Sequence, residues 1–164
     1  MKIEIVEHDP GWAERFARER DRIVGALGER ALEVHHIGST AVPGLAAKAI
    51  IDIILVVASS ADEPAYLPDL EGAGYELRVR EPDWDEHRLL RTPARDVHVH
   101  VFSAGSSEIA RHLAFRDWLR EHDDDRARYE QAKRRLASRD WPTTQDYADA
   151  KNDVIAEITS RAQP

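Results

Sequence analysis

Two histidines and one aspartate in this 164-residue chain have the types and spacing that chemistry requires. His98 and His100 alternate with valines over residues 97–102. In a strand both imidazoles would point to one face, at a spacing suited to joint metal ligation or to an acid–base pair. Asp52 interrupts the apolar run 50–57, where a buried, unpaired carboxylate would cost several kcal/mol. We take these three residues as candidate catalytic residues and metal ligands. The alternatives are packed histidines and an aspartate with a structural hydrogen-bonding role.

A glycine–serine pair upstream of the aspartate is a candidate phosphate-binding turn. Backbone N–H groups and a hydroxyl at such a turn can hold phosphate, although the pair is also common in turns for conformational reasons alone. Several cations on predicted helices have aromatic neighbours that would anchor the helix and aim the charge inward. Ordinary solvated positions are the alternative for them. The candidate phosphate- or nucleotide-binding residues are Gly38, Ser39, Thr40, Lys48, Arg116, Lys133 and Lys151.

The remaining histidines carry less information. His36 lies at the polar end of a predicted strand and is a further candidate for the site. The others have no comparable context and are expected to be surface or cap residues: His8, His87, His112 and His122. We expect the acidic run 121–125 to be a solvated turn.

Hydrophobic periodicity predicts the elements that position these side chains. Continuous or alternating apolar runs predict β-strands at residues 31–37, 49–57, 75–80, 87–91 and 97–102. Segment 3–6 also alternates. Apolar residues at helical spacing predict helices at 10–27, 62–72, 107–119, 123–137 and 144–161. Asp9 and Pro10 are expected as the N-cap and first residue of the first helix. Strands followed by helices without a long linker predict one domain over residues 1–164, with the C-terminal helices packed on the sheet.

Composition and charge limit the classes to which the protein can belong. The chain is 42% hydrophobic, which suffices for one core. Its net charge of −8 argues against a general nucleic-acid binder, so no DNA partner is expected. The absence of cysteine excludes disulfides, thiolate metal sites and cysteine nucleophiles. No apolar run approaches the length of a membrane span, and we expect a cytoplasmic protein without membrane contact.

The segments HIGSTAVPGLAAK at 36–48 and IIDI at 50–53 resemble the signature of the GrpB family of small bacterial proteins. The later segments HVHV at 98–101 and FRDWLR at 115–120 resemble that family as well. So do the pairs Tyr129 with Lys133 and Tyr147 with Lys151, which extends the likeness over nearly the whole chain. The resemblance implies a nucleotidyltransferase-like fold and a bacterial cytoplasmic setting.

The resemblance also exposes a departure from the superfamily's pattern. There, a Gly-Ser turn is followed by a strand that bears an aspartate, one apolar residue and a second acid. Gly38-Ser39 and Asp52 fit, but Ile54 occupies the position of the second acid, and the third acid would fall at His98 or His100. Imidazole suits manganese, zinc or nickel better than magnesium. Either one metal ion has mixed ligands here, or the transfer chemistry has been lost.

We therefore expect an α+β protein with a nucleotidyltransferase-like mixed β-sheet flanked by helices. It would bind a nucleotide or another phosphorylated small molecule with a divalent metal ion, magnesium, manganese or a transition metal, and transfer a nucleotidyl group to an unknown acceptor. The alternative is a non-catalytic nucleotide- or metal-binding module with a degenerate site. The sequence does not determine the oligomeric state.

Overall fold

The computed structural model describes residues 2–162, in which five strands form one mixed sheet. The strands are β1 (Glu33–Ile37), β2 (Ile51–Val57), β3 (Glu76–Glu81), β4 (His87–Arg91) and β5 (Val97–Ser103). Their order across the sheet is β1-β2-β5-β4-β3. The central β2 and β5 run parallel, and every other neighbouring pair is antiparallel. Both central strands are almost entirely buried because helices cover the two faces of the sheet.

Six α-helices within residues 2–162 accompany the sheet. They are α1 (Gly11–Leu27), α2 (Leu67–Gly72), α3 (Ser107–Glu121), α4 (Asp123–Ala137), α5 (Thr144–Ala150) and α6 (Asn152–Arg161). Pro10 is the N-cap of α1, one position later than expected, and the Asp9 carboxylate accepts the Gly11 N–H at 2.8 Å. Within residues 2–162, no helix combines the length and hydrophobicity needed to cross a bilayer.

Three sequence-based expectations need correction. The helix expected at 144–161 is divided at Lys151, whose N–H bonds to the carbonyl of Ala148 three residues earlier. The helix expected at 62–72 is likewise divided into a 3₁₀ turn over Glu63–Ala65 and α2 (Leu67–Gly72). The acidic run lies where α3 ends and α4 begins: Glu121, Asp123 and Asp124 are exposed as expected, but Asp125 is buried and accepts hydrogen bonds from Trp118 and Arg161.

The two faces of β2 contribute to different apolar clusters. Ile51, Ile53 and Leu55 pack with residues of α1 and α2 on one face. Ile54 and Val56 face the other side, where Ile109 of α3 covers them. Because side chains alternate along a strand, Asp52 lies on this second face, at the end where the apolar cover stops. The fold therefore directs the aspartate toward the C-terminal helices.

Candidate functional site

A cavity of about 370 Å³ lies between the sheet and the C-terminal helices. Its wall includes Ser39, Asp52, His98 and His100, together with three lysines from different elements: Lys48, Lys133 and Lys151. We call it the lysine cavity. It gathers most of the side chains that sequence reasoning selected, although they are up to about a hundred positions apart in the chain.

The parallel pairing of β2 and β5 brings the aspartate and the histidines together. Asp52 lies opposite His98 in the register and Ile54 lies opposite His100, so all three polar side chains share one face. Asp52 Oδ1 is 3.7 Å from His98 Nδ1 and 3.4 Å from His100 Nε2. The Asp52 side chain is 32% exposed, which leaves it accessible from the cavity.

The electrostatic surroundings keep Asp52 negatively charged. Burial raises the pKa of Asp52, but His100, His98 and Lys151 together outweigh burial, so the pKa of this carboxyl lies below its ordinary value. Burial lowers the pKa of His98, and the Asp52 carboxylate opposes that shift. A carboxylate beside a neutral imidazole is a donor set for a cation.

Gly38 allows the turn after β1 to approach this carboxylate. Its φ of +75° is unfavourable for other residues, and a Cβ placed on it would lie 2.9 Å from Asp52 Oδ2. The chain then makes a 3₁₀ turn over Ser39–Ala41. Gly38 therefore acts by its lack of a side chain. It lies outside the lining of the lysine cavity, which the next residue, Ser39, enters.

Lys133 is the most deeply buried cation of the cavity. Its ammonium donates to Ser39 Oγ at 2.7 Å and to the Ala46 carbonyl at 2.8 Å, and it lies 4.9 Å from the centre of the Tyr129 ring. The pKa of Lys133 is lowered to about 7. Burial is the larger cause, and repulsion from Lys151 is the second. The residue therefore joins α4 to the serine of the predicted phosphate-binding turn.

Two further lysines flank Tyr147. The ammonium groups of Lys48 and Lys151 lie 5.9 and 4.9 Å from the centre of its ring, and burial lowers the pKa of each. The Tyr147 hydroxyl is buried and has no hydrogen-bond partner within residues 2–162. Desolvated cations and an unsatisfied hydroxyl along one wall are features that a polar, anionic ligand would satisfy.

Three of the remaining candidates have other partners. Arg116 does not line the cavity, because its guanidinium donates to Asp117 and to the His36 carbonyl. Thr40 reaches the cavity wall, but its hydroxyl donates to the Ile50 carbonyl and accepts from His36 Nε2. His36 itself stacks on Phe16 and is outside the cavity; burial lowers its pKa to about 4. The phosphate-binding role expected for Arg116 has no support in this geometry.

Sequence reasoning missed His87, which was expected at the surface or in a cap. It is only 3% exposed, and its Nε2 lies 2.9 Å from His100 Nδ1. Its Nδ1 lies 2.9 Å from Glu81 Oε1. Only the antiparallel pairing of β4 with β5 reveals this role, because it places His87 on the same face of the sheet as His100.

A second cavity of about 210 Å³ also has Asp52 and His100 in its wall. Its wall is mainly apolar, with Ile37, Phe115 and Ile155, and we call it the apolar cavity. Arg111 and His112 also contribute, but Arg111 is paired with Glu108 at 2.6 Å. Asp52 and His100 therefore line both the lysine cavity and the largely apolar cavity.

The donor set fits a metal ion that accepts both oxygen and nitrogen ligands. Ligand bonds of about 2.1 Å in a tetrahedral arrangement place ligand atoms about 3.4 Å apart. The distances of 3.4 and 3.7 Å from Asp52 Oδ1 to the imidazole nitrogens are close to that value. Within residues 2–162, however, no three His, Asp or Glu side chains are already arranged around one metal position.

Comparison with known proteins places the chain among bacterial relatives. Residues 2–161 match the family model described as GrpB protein. A UPF0157 protein of Halalkalibacterium halodurans is 56% identical, over 98% of this chain and 82% of the relative. A UPF0157 protein of Streptomyces coelicolor is 53% identical, over 99% and 85%. A dephospho-CoA kinase of Mycolicibacterium paratuberculosis is 33% identical over 84% of this chain, which corresponds to 40% of the kinase.

Comparison with solved structures supports the same fold. The conserved protein GrpB from Enterococcus faecalis has a TM-score of 0.87 and 36% identity, over 97% of this chain and 96% of that one. A chain of the GLD-2/RNP-8 complex has a TM-score of 0.54 and 14% identity, over 97% and 62%. The Cid1 poly(U) polymerase has a TM-score of 0.50 and 10% identity, over 79% and 45%. At such low identity the last two show the nucleotidyltransferase-like fold alone.

Proposed function

The chain belongs to the GrpB family, and we propose that it binds a nucleotide or another phosphorylated small molecule in the lysine cavity, with a divalent metal ion at Asp52. The observation that carries this proposal is the convergence of lysines on one cavity. The chain has four lysines, and three of them line that space. The fourth, Lys2, is exposed outside it, so lysine is used here mainly where a desolvated cation meets the cavity.

A phosphorylated ligand would satisfy the polar groups that the cavity leaves incompletely paired. Phosphate oxygens would compensate the desolvation of the lysine ammonium groups, which burial now disfavours in their charged form. Ser39 and the Tyr147 hydroxyl would add hydrogen bonds. The volume of about 370 Å³ corresponds to a small molecule rather than a polymer strand.

Asp52, His98 and His100 would hold the metal ion. When bound, the ion would neutralise phosphate oxygens and orient the ligand. Mixed carboxylate and imidazole donors favour manganese or another transition metal over magnesium. The lysines would bind the remaining phosphate charge.

In a transfer reaction, the lysine cavity would hold the donor nucleotide and the apolar cavity would admit the acceptor. An acceptor oxygen or nitrogen would form a bond to the α-phosphorus while the bond to pyrophosphate breaks, and the acceptor proton would pass to solvent. Positioning and charge stabilisation would supply most of the catalysis. The proximity of both cavities to Asp52 and His100 supports this arrangement.

The second candidate function is a binding module without transfer activity. Ile54 favours it, because the residue at the position of the second superfamily acid is 0% exposed and packs against Ile37, Val56 and Phe102. A carboxylate there would be desolvated among apolar groups. The metal site therefore has fewer oxygen ligands than a two-metal transferase requires.

Thermal-shift measurements on the full chain test both functions. The probes are the four ribonucleoside triphosphates and inorganic triphosphate, each with EDTA, magnesium or manganese. We expect a ligand-induced rise in Tm that manganese increases, and Asp52→Asn should lose only the manganese-dependent part. Lys151→Gln should weaken the response to every probe. The matched control is Lys2→Gln, since Lys2 is the exposed lysine outside the cavity.

The outcomes separate the candidates. A rise in Tm that is equal with and without metal supports the module. If no phosphorylated probe raises the Tm of the wild-type protein, both functions are contradicted.

A further inference from the structure

Arg91 lies beside the candidate metal ligands on a neighbouring strand. On β4 it is the register partner of His98 of β5, and His98 in turn is the partner of Asp52 of β2. Paired residues of antiparallel strands share a face, with Cβ atoms about 4.5–5.5 Å apart. Leu89, two positions earlier on the same face of β4, lines the lysine cavity. Arg91 itself is outside that lining and adjoins the cavity beyond His98.

The Arg91 guanidinium is partly desolvated without compensation. The residue is half-buried, yet within residues 2–162 its guanidinium donates no hydrogen bond and forms no ion pair. The other arginines of the described chain that lack such a partner are all exposed: Arg18, Arg95, Arg135 and Arg139. A partly buried cation without a partner is a group that a bound anion would satisfy.

The carboxylates near Arg91 have other partners. Glu76 of β3 lies opposite Arg91 in the register, but its carboxylate is 4.0 Å from Arg78 Nη1. The repulsion of Arg91 by Arg78 exceeds its attraction to Glu76. Asp96, in the turn between β4 and β5, accepts a hydrogen bond from Arg15 at 2.7 Å. The fold therefore leaves an uncompensated positive charge next to His98.

A lysine of the cavity is close to the same histidine. The positive charges of Lys48 and Arg91 both act on the His98 ring, which lies in the cavity wall. Two strand spacings, about 10 Å in total, separate β4 from β2, the strand that carries Asp52. A ligand that reaches Arg91 therefore needs an acidic group separate from the phosphate held near Asp52.

We propose that Arg91 determines ligand specificity by binding a second acidic group, a carboxylate or a phosphate, on the molecule that occupies the lysine cavity. The planar guanidinium matches either group with two parallel hydrogen bonds. The ligand class is then a phosphorylated small molecule with two separate acidic groups. This assignment rests on the proposed function, because the first of those groups is the phosphate that the lysines bind.

Calorimetric titration of the full chain with two matched pairs of probes tests the role of Arg91. 3-Phosphoglycerate has a carboxylate where glycerol 3-phosphate has a hydroxymethyl group, and adenosine 3′,5′-bisphosphate has one phosphate more than adenosine 5′-monophosphate. EDTA is present throughout, so that neither extra group can act by chelating a metal ion. We expect the wild type to bind the doubly acidic member of one pair at least about 10-fold more tightly than its partner. The pair that shows this preference identifies the second group.

Arg91→Gln should abolish the preference. Arg18→Gln, which removes an exposed arginine of α1, is the matched control and should keep it. Because Arg91 has no partner to lose, its substitution should leave Tm unchanged, and Tm checks the fold of both variants. A wild type without the preference, or Arg91→Gln with the full preference, overturns this assignment, and binding of the singly acidic probes then still supports the lysine cavity as a phosphate site. If no probe binds the wild type, the proposed function is contradicted as well.

Discussion

At the scale of single residues, the site is marked by charges that folding alone would avoid burying. Lys133 is 2% exposed, and no carboxylate is among the atoms that accept from its ammonium, which are a hydroxyl and a carbonyl. His100, His98 and Lys151 lower the pKa of Asp52 against the opposing effect of burial. Hydrogen bonds to neutral groups compensate such desolvation only in part. A bound anion at the lysines and a cation at Asp52 would complete the compensation.

The lowered pKa of Lys133 predicts a pH dependence of ligand binding. In the free protein Lys133 loses its proton above a pKa of about 7, whereas in the unfolded chain it stays charged to about 10.4. The unfolded state therefore binds more protons in this window, and the contribution of Lys133 to folding stability rises with pH. An anionic ligand favours the charged form, so its binding should take up protons and weaken as pH rises from about 7 to 9.

Calorimetry with inorganic triphosphate in buffers of different ionisation enthalpy measures this uptake. Lys133→Met should bind the probe more weakly and take up fewer protons. A wild-type affinity that stays constant between about pH 7 and 9 would contradict the assignment of Lys133 to the ligand.

At the scale of elements, the parallel β2–β5 pair and the turn after β1 define the site. The pair fixes the register between Asp52 and His98, and the turn at Gly38 brings the backbone against the Asp52 carboxylate. Their arrangement concentrates polar groups at the one end of the sheet face that the apolar side chains of α3 do not cover.

Replacing the turn glycine should therefore damage both stability and the site. Gly38→Ala places a Cβ 2.9 Å from Asp52 Oδ2 on a residue with φ of +75°, and we expect a loss of about 1–3 kcal/mol in the free energy of unfolding. The matched control is Gly25→Ala in the exposed interior of α1, where a Cβ meets nothing within 4 Å. That change should stabilise the protein by about 0.5–1 kcal/mol. Urea unfolding measures both, and equal stability of Gly38→Ala and wild type would refute the close-approach argument.

At the scale of the whole molecule, the charge distribution favours a small ligand over a polymer. The net charge is −8, and three of the four lysines converge on one cavity instead of forming an extended basic surface. Nucleic-acid binding depends on cations spread along the phosphate backbone. The likeness to Cid1, a poly(U) polymerase, shows the fold alone.

We accordingly predict that the full chain does not extend nucleic-acid primers. Labelled oligo(A), oligo(U) and single-stranded DNA are incubated with all four ribonucleoside triphosphates and magnesium or manganese, and the products are resolved on a denaturing gel. Primer lengths should remain unchanged in every lane. Binding of inorganic triphosphate by the same preparation is the positive control, and a ladder of extended primers would show that the acceptor is a nucleic acid.

Much of the architecture could be predicted from the sequence because hydrophobic periodicity is a local property. The five strands, the long helices and the alternation of valines with His98 and His100 all follow from it, and the family signature identified the fold. Arg116 does not line the lysine cavity, because a cation next to aromatic residues can equally donate to a backbone carbonyl. The burial of Asp125 at the end of the acidic run could not be predicted, because its partner Arg161 is distant in sequence.

The sequence by itself determined the candidate residues, since Asp52 and the histidine pair stand out from an apolar background without any knowledge of contacts. Only the tertiary structure decided what surrounds them. Strand pairing places His87 beside His100, and helix packing brings Lys133 and Lys151 to the cavity that Asp52 lines. Such contacts join residues far apart in the chain, and their geometry is set by register and packing, which no local pattern encodes.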